Sequence, residues 1–130
     1  MINYNKKIVA TASILGALTI AIGAFGAHGL KELIDVKSLA TFETGVRYQM
    51  YHVFALLILG FATVIPSATQ KWVARFFIIG IIFFSGSIYL LSLNSLFLFD
   101  AKTIGFITPL GGLFFIFGWL RLAYGVIVNK

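Results

Sequence analysis

Long apolar runs broken by short polar stretches set the architecture of this 130-residue chain. Residues 8–27 carry no charge. As a helix they extend about 30 Å, the thickness of a bilayer's hydrocarbon core. Residues 28–41 are polar. From Ser38 onward, apolar residues fall at Leu39, Phe42, Val46, Met50, Val53 and Leu57, steps of three and four that read as helix. Ser38 is the expected N-cap. The helix enters the apolar phase near Val46 and continues to Ile65, before Pro66. Residues 66–72 are expected to form a tight turn. A third apolar run covers 73–96 and turns polar toward its end. After a second connection at 97–107, Thr108 and Pro109 suggest an N-cap and a first-turn proline, followed by a fourth run over 108–128.

The expected fold is therefore all-α: a polytopic membrane protein with four transmembrane helices (8–27, 46–65, 73–96 and 108–128) in one antiparallel up-down bundle. The rival reading of the first run as a cleaved signal peptide, with Ala24-Phe25-Gly26 as the cleavage site, fits less well with three spans following.

Composition agrees. The chain is 60% hydrophobic and 11% charged, with mean hydropathy +1.01. Soluble domains carry about 25% charged residues. The net charge of +6 does not point to nucleic acid, because the basic residues are scattered at the ends of apolar runs. The absence of cysteine excludes disulfides, thiol nucleophiles and cysteine-ligated metals. One side of the bundle collects Lys6, Lys7, Lys71, Arg75, Arg121 and Lys130. The other collects Lys31, Lys37, Arg47 and Lys102 with all the acids, Glu32, Asp35, Glu43 and Asp100. The positive-inside bias puts both termini in the cytoplasm, with Tyr4, Trp72, Trp119 and Tyr124 as an inner aromatic belt.

Small residues set the expected packing. The first run carries Ser13, Ala17 and Ala21 at steps of four and Gly16 and Gly23 at a step of seven. The last carries Gly111, Gly118 and Gly125 at steps of seven. Such stripes let backbones approach closely. They suggest that the first and fourth helices touch, or that one forms a dimer face.

Several segments together resemble one family: Gly23-Ala-Phe-Gly-Ala-His-Gly29, Phe42-Glu-Thr-Gly-Val-Arg-Tyr-Gln-Met-Tyr-His52, Phe84-Ser-Gly-Ser-Ile-Tyr-Leu-Leu91, Ile107-Thr-Pro-Leu-Gly-Gly112 and Gly118-Trp119. The chain resembles the YgdD/YwdK-type family of small four-span bacterial membrane proteins, which has mitochondrial relatives. The resemblance implies a multi-pass protein of the bacterial plasma membrane. It implies no chemistry, since the family has no assigned function.

Candidate chemistry concentrates where the second run begins. His52 lies five residues beyond Arg47, about 7–8 Å deeper along a helix. Glu43 and Arg47 have i, i+4 spacing for an ion pair. With the other helices aligned, polar groups gather in the outer half of the membrane. His28, Arg47, Tyr48, Gln49, His52, Ser85, Ser87 and Tyr89 form the candidate ligand-binding layer, with Tyr51, Ser92 and Thr108 nearby. Polar groups inside a bilayer face the bundle interior and find partners. The layer therefore reads first as a hydrogen-bonded lock between helices, and second as a site for a lipid headgroup, a quinone head or a small solute. A haem held by His28 and His52 fits poorly, because the two differ in depth. No catalytic residue, metal or cofactor is expected. Arg121 is expected to snorkel to lipid phosphates or meet a partner protein. The leading functional expectation is a non-enzymatic accessory, interaction or lipid-binding membrane protein. The alternatives are a component of an oligomeric transporter or channel, and a quinone- or haem-linked protein. The expected partners are the bilayer, another membrane protein or a second copy of the chain.

Overall fold

The computed structural model describes residues 3–97 and 100–129. Lys130 and residues 98–99 of the second connection lie outside the described residues. The main helices are α1 (Lys6–His28), α2 (Val36–Phe61), α3 (Ser67–Gly80), α4 (Gly86–Ser92) and α5 (Ile107–Val128). A π-helical segment, Ile81–Ser85, joins α3 to α4 into one rod. Single 3-10 turns at Leu30–Glu32, Asn94–Leu96 and Ala101–Ile104 fill the connections. Among the described residues there is no strand.

The helix starts depart from expectation in instructive ways. Asp35, not Ser38, caps α2: its carboxylate accepts from the Ser38 backbone N–H at 2.6 Å. A carboxylate is well suited to this position because it also meets the positive end of the helix dipole. The Ser38 N–H, then the Ser38 hydroxyl, hold the Asp35 carboxyl below its ordinary range. Helix α2 ends at Phe61 rather than Ile65. The expected turn at 66–72 is largely the start of α3, with Pro66 as N-cap. Pro109 sits inside the first turn of α5, which begins at Ile107, where a missing N–H costs no helical bond.

Three helical stretches are long and apolar enough to cross a membrane: Lys6–Glu32, Ser67–Ser92 and Lys102–Val128. Helix α2 has 26 residues but is more polar, because Lys37, Glu43, Arg47, Gln49 and His52 all lie on it.

The helices pack in antiparallel pairs. Along α1, Gly16 faces Val53 of α2, Gly23 faces Val46 and Gly26 faces Phe42, while Gly60 of α2 receives Val9. Steps of seven, seven and three along α1 are matched by steps of seven, seven and four back along α2. In the same way Gly111, Gly118 and Gly125 of α5 meet Phe84, Phe77 and Thr69, and Gly80 receives Phe115. Helix α2 then packs on α4 and the π segment. The glycine stripes therefore do not join the first helix to the last. Each serves an antiparallel neighbour, receiving side chains such as Phe42 and Phe77, or the backbone of the π segment at Gly111. Ser13, Ala17 and Ala21 are on the outward face of α1. The apolar core, including Ile8, Leu56, Val73, Phe77 and Phe115, draws on all four rods.

Candidate functional site

A relay of three side chains crosses the bundle. The Tyr89 hydroxyl donates to Gln49 Oε1 at 2.6 Å. Gln49 Nε2 donates to Thr19 Oγ1 at 2.8 Å. The Thr19 hydroxyl donates to the Leu15 carbonyl at 2.6 Å. The relay thus links α4, α2 and α1 and ends on a carbonyl, which can only accept. Thr19 and Gln49 are 1% and 4% exposed, so the bonds are made where water does not compete. The backbone makes room for them. Gly45 lies one turn before Gln49, and the Tyr89 ring passes over it: a Cβ there would come within 2.8 Å of Tyr89 Cε1. Ser85, fully buried in the π segment, donates to the Gly45 carbonyl at 2.7 Å. Nearby, the Ser87 and Thr108 hydroxyls meet at 2.5 Å and tie α4 to α5.

His52 forms a second centre. Its Nδ1 lies 2.7 Å from the Tyr48 carbonyl, and its Nε2 lies 3.1 Å from the Trp119 indole nitrogen. A carbonyl only accepts and an indole N–H only donates. The pair therefore selects the neutral ring with its proton on Nδ1. Phe115 stacks on the imidazole at a centroid distance of 3.6 Å and 9° between planes, and Phe77 meets it edge-on at 5.0 Å. Both nitrogens are engaged and both ring environments are aromatic.

The expected layer is thus only partly assembled. Gln49, Ser85, Ser87 and Tyr89 join through bonds between helices, and His52 bonds to α5. His28, Arg47 and Tyr48 stay outside. His28 is exposed at the last turn of α1. Arg47 is exposed and donates to Thr44 Oγ1 at 3.2 Å, so the expected ion pair with Glu43 is not made. One helical turn reaches both Thr44 and Glu43, and the guanidinium turns to the Thr44 hydroxyl. Tyr48 is 41% exposed and packs its ring on Phe84 at 4.9 Å. Among the described residues no three histidine or acidic side chains gather in a metal-binding group. His28 and His52 do not share a site.

Two of these partners, Thr19 and Trp119, lie outside the layer expected from the sequence. Thr19 had a signal: Gly16, Thr19, Gly23 and Gly26 follow at steps of three and four, so the hydroxyl lies on the stripe that faces α2. Trp119, expected in an interfacial belt, turns its indole N–H to His52.

The opposite end of the bundle carries a further polar cluster. Gln70, 5% exposed, donates to the Leu59 and Ala62 carbonyls, each at 2.9 Å. The Asn5 backbone N–H donates to the Gly60 carbonyl at 2.8 Å. Together they satisfy carbonyls that the end of α2 would leave open. Arg121 donates to Thr69 Oγ1 at 3.1 Å, so its guanidinium has a protein partner on α3.

Comparison with known proteins identifies the chain's kin. Residues 22–112 match the family described as "Protein of unknown function (DUF423)". A UPF0382 membrane protein of Staphylococcus saprophyticus is 44% identical over 86% of this chain and 92% of its own length. The UPF0382 membrane protein YwdK of Bacillus subtilis is 36% identical over 94% of this chain and 97% of its own length. The UPF0382 inner membrane protein YgdD of Escherichia coli is 37% identical over 92% of this chain and 88% of its own length. No solved structure gives a significant match. The chain belongs to this family of membrane proteins of unknown function.

Proposed function

Starting from that family membership, we propose that the chain is a non-enzymatic, four-span protein of the bacterial plasma membrane. Its buried polar network locks the helices so that the outer faces can serve lipid or partner proteins. The observation that carries this reading is the saturation of the network: no buried side-chain nitrogen or oxygen among the described residues lacks a hydrogen-bond partner. A ligand site keeps polar groups free to meet its ligand. Here the Tyr89 and Thr19 hydroxyls and one N–H of Gln49 are bonded to one another or to Leu15.

The four-span topology has its own support. Helix α2 runs alongside α1 from Phe42 opposite Gly26 to Gly60 opposite Val9, which supports the reading that both share one bilayer. Its lower hydropathy comes partly from Gln49 and His52, which face its neighbours rather than lipid.

Thermal unfolding in detergent tests the lock. Interhelical hydrogen bonds in membranes contribute on average about 0.6 kcal/mol, with stronger ones near 1–2 kcal/mol. Gln49→Leu removes two and is expected to cost about 1–3 kcal/mol. Tyr89→Phe removes one and should cost about half as much. Unchanged stability in Gln49→Leu would remove the structural reading and favour a ligand role for the same side chains.

A homo-oligomer is the second reading. Ser13, Ala17 and Ala21 lie at steps of four on the exposed face of α1, the spacing that lets two membrane helices approach closely. Native mass spectrometry should then find a dimer that Ala17→Leu disperses; a monomer at every concentration ends this reading.

A further inference from the structure

We propose that the cleft between α1 and α3, at the end of the bundle holding Asn5 and Gln70, binds an anionic phospholipid. This does not rest on the reading of the polar network, which lies elsewhere in the bundle.

The cleft measures about 700 Å³, within the range of about 300–1,000 Å³ typical of ligand sites. Its walls divide by chemistry. Lys7 of α1 and Lys71 and Arg75 of α3 supply three cations, all exposed. Ile8, Leu56 and Ala74 supply an apolar floor. Charged rim and hydrocarbon floor in one cleft match a phosphate headgroup and the acyl chain attached to it.

Two further observations point to an anion. No acid competes at this end: Glu32, Asp35, Glu43 and Asp100 all lie at or toward the other end, on or near the starts of α2 and α5 or the end of α1. Helix α3 also opens on the cleft. Pro66 provides no side-chain cap, and Ser67 and Ala68, the first residues of α3, line the same cleft. Uncapped backbone N–H groups and the positive end of the helix dipole add to the attraction for a phosphate. The Arg75 guanidinium lies 5.1 Å from the ring centroid of Trp72. Trp72 is itself exposed, as suits a tryptophan at headgroup level. Basic pockets between membrane helices are a known way of holding anionic headgroups.

Titration of the purified full-length protein with phosphatidylglycerol and with phosphatidylcholine of the same chain length, read by native mass spectrometry, tests the proposal. Phosphatidylglycerol should be retained at least tenfold more tightly. Each of Lys7→Gln, Lys71→Gln and Arg75→Gln should weaken it roughly fivefold, and high salt should weaken it in the unaltered protein. Lys31→Gln and Lys102→Gln, at the other end, should leave it unchanged. Thr11→Trp, which fills the cleft while keeping its charges, should also lose the lipid. All these substitutions are at exposed or half-exposed positions, and circular dichroism checks that the helices persist. Inorganic phosphate should not displace the lipid at millimolar concentration. Equal retention of the two lipids, full retention by the charge variants, or displacement by inorganic phosphate would each overturn the proposal, the last by making the site one for a free anion.

Discussion

At the scale of single residues, His52 shows how a buried contact between helices fixes chemistry. Tyr48 offers it an acceptor and Trp119 a donor, so one neutral tautomer satisfies both. The ring sits between aromatic faces, 5% exposed. Trp119→Phe keeps much of the packing but leaves Nε2 without a donor. The expected cost is about 1 kcal/mol, seen as a lower unfolding midpoint in detergent. Nitrogen-15 NMR of labelled histidine should find the His52 proton on Nδ1. A proton on Nε2 would mean that Trp119 is not its donor. The sequence marks His52 as an inward-facing polar group beside Tyr48 but does not reveal Trp119 as its donor. Level along the membrane follows from counting residues, whereas the partner depends on how α2 and α5 rotate toward each other, which counting does not reveal.

At the scale of elements, glycine is the working residue. Gly111 packs on the backbone of the π segment, where a Cβ would run into Phe83 and Phe84. The π segment widens the helix by one residue over Ile81–Ser85 and brings Ser85 to the Gly45 carbonyl. Because its obstacle is backbone rather than a flexible side chain, Gly111→Ala should separate α5 from the π segment. It is expected to cost about 1–3 kcal/mol, more than Gly112→Ala, whose Cβ would find only ordinary contact distances of 3.8 Å and beyond. Equal unfolding midpoints for the two variants would refute this account. Helix existence was legible in the sequence because apolar length and periodicity are local properties. The stripe of glycines was legible too. Its partner was not, since spacing reveals which residues share a face but not which helix that face meets. The π segment left no local signal, and the Gln70 cap was hidden because its acceptors, Leu59 in the last turn of α2 and Ala62 just beyond it, belong to another element.

For the whole molecule, the arrangement of charge can be tested directly. Lys6, Lys7, Lys71, Arg75 and Arg121 lie at or toward one end of the bundle, with no acid among the described residues there. Glu32, Asp35 and Lys102 lie at the other. Basic residues flanking membrane helices favour the cytoplasm, so the Lys6 end should face inward. If α2 crosses the bilayer, Lys6 and Lys71 share a side, and Glu32 and Lys102 share the opposite one. If α2 does not cross, Lys6 and Lys71 fall on opposite sides. The chain contains no cysteine, so single-cysteine variants report without background. In intact cells, an impermeant maleimide should label Glu32→Cys and Lys102→Cys, while Lys6→Cys and Lys71→Cys react only after permeabilisation. Labelling of Lys6→Cys without Lys71→Cys, or the reverse, would reject four spans. Labelling of both from outside would keep the spans and reverse the orientation. The side-by-side register of α1 and α2, from Gly26 with Phe42 to Gly60 with Val9, is why the four-span outcome is expected. Because the two helices are matched in depth along most of their length, they are expected to lie in the same bilayer, and paired labelling of Lys6→Cys and Lys71→Cys checks it.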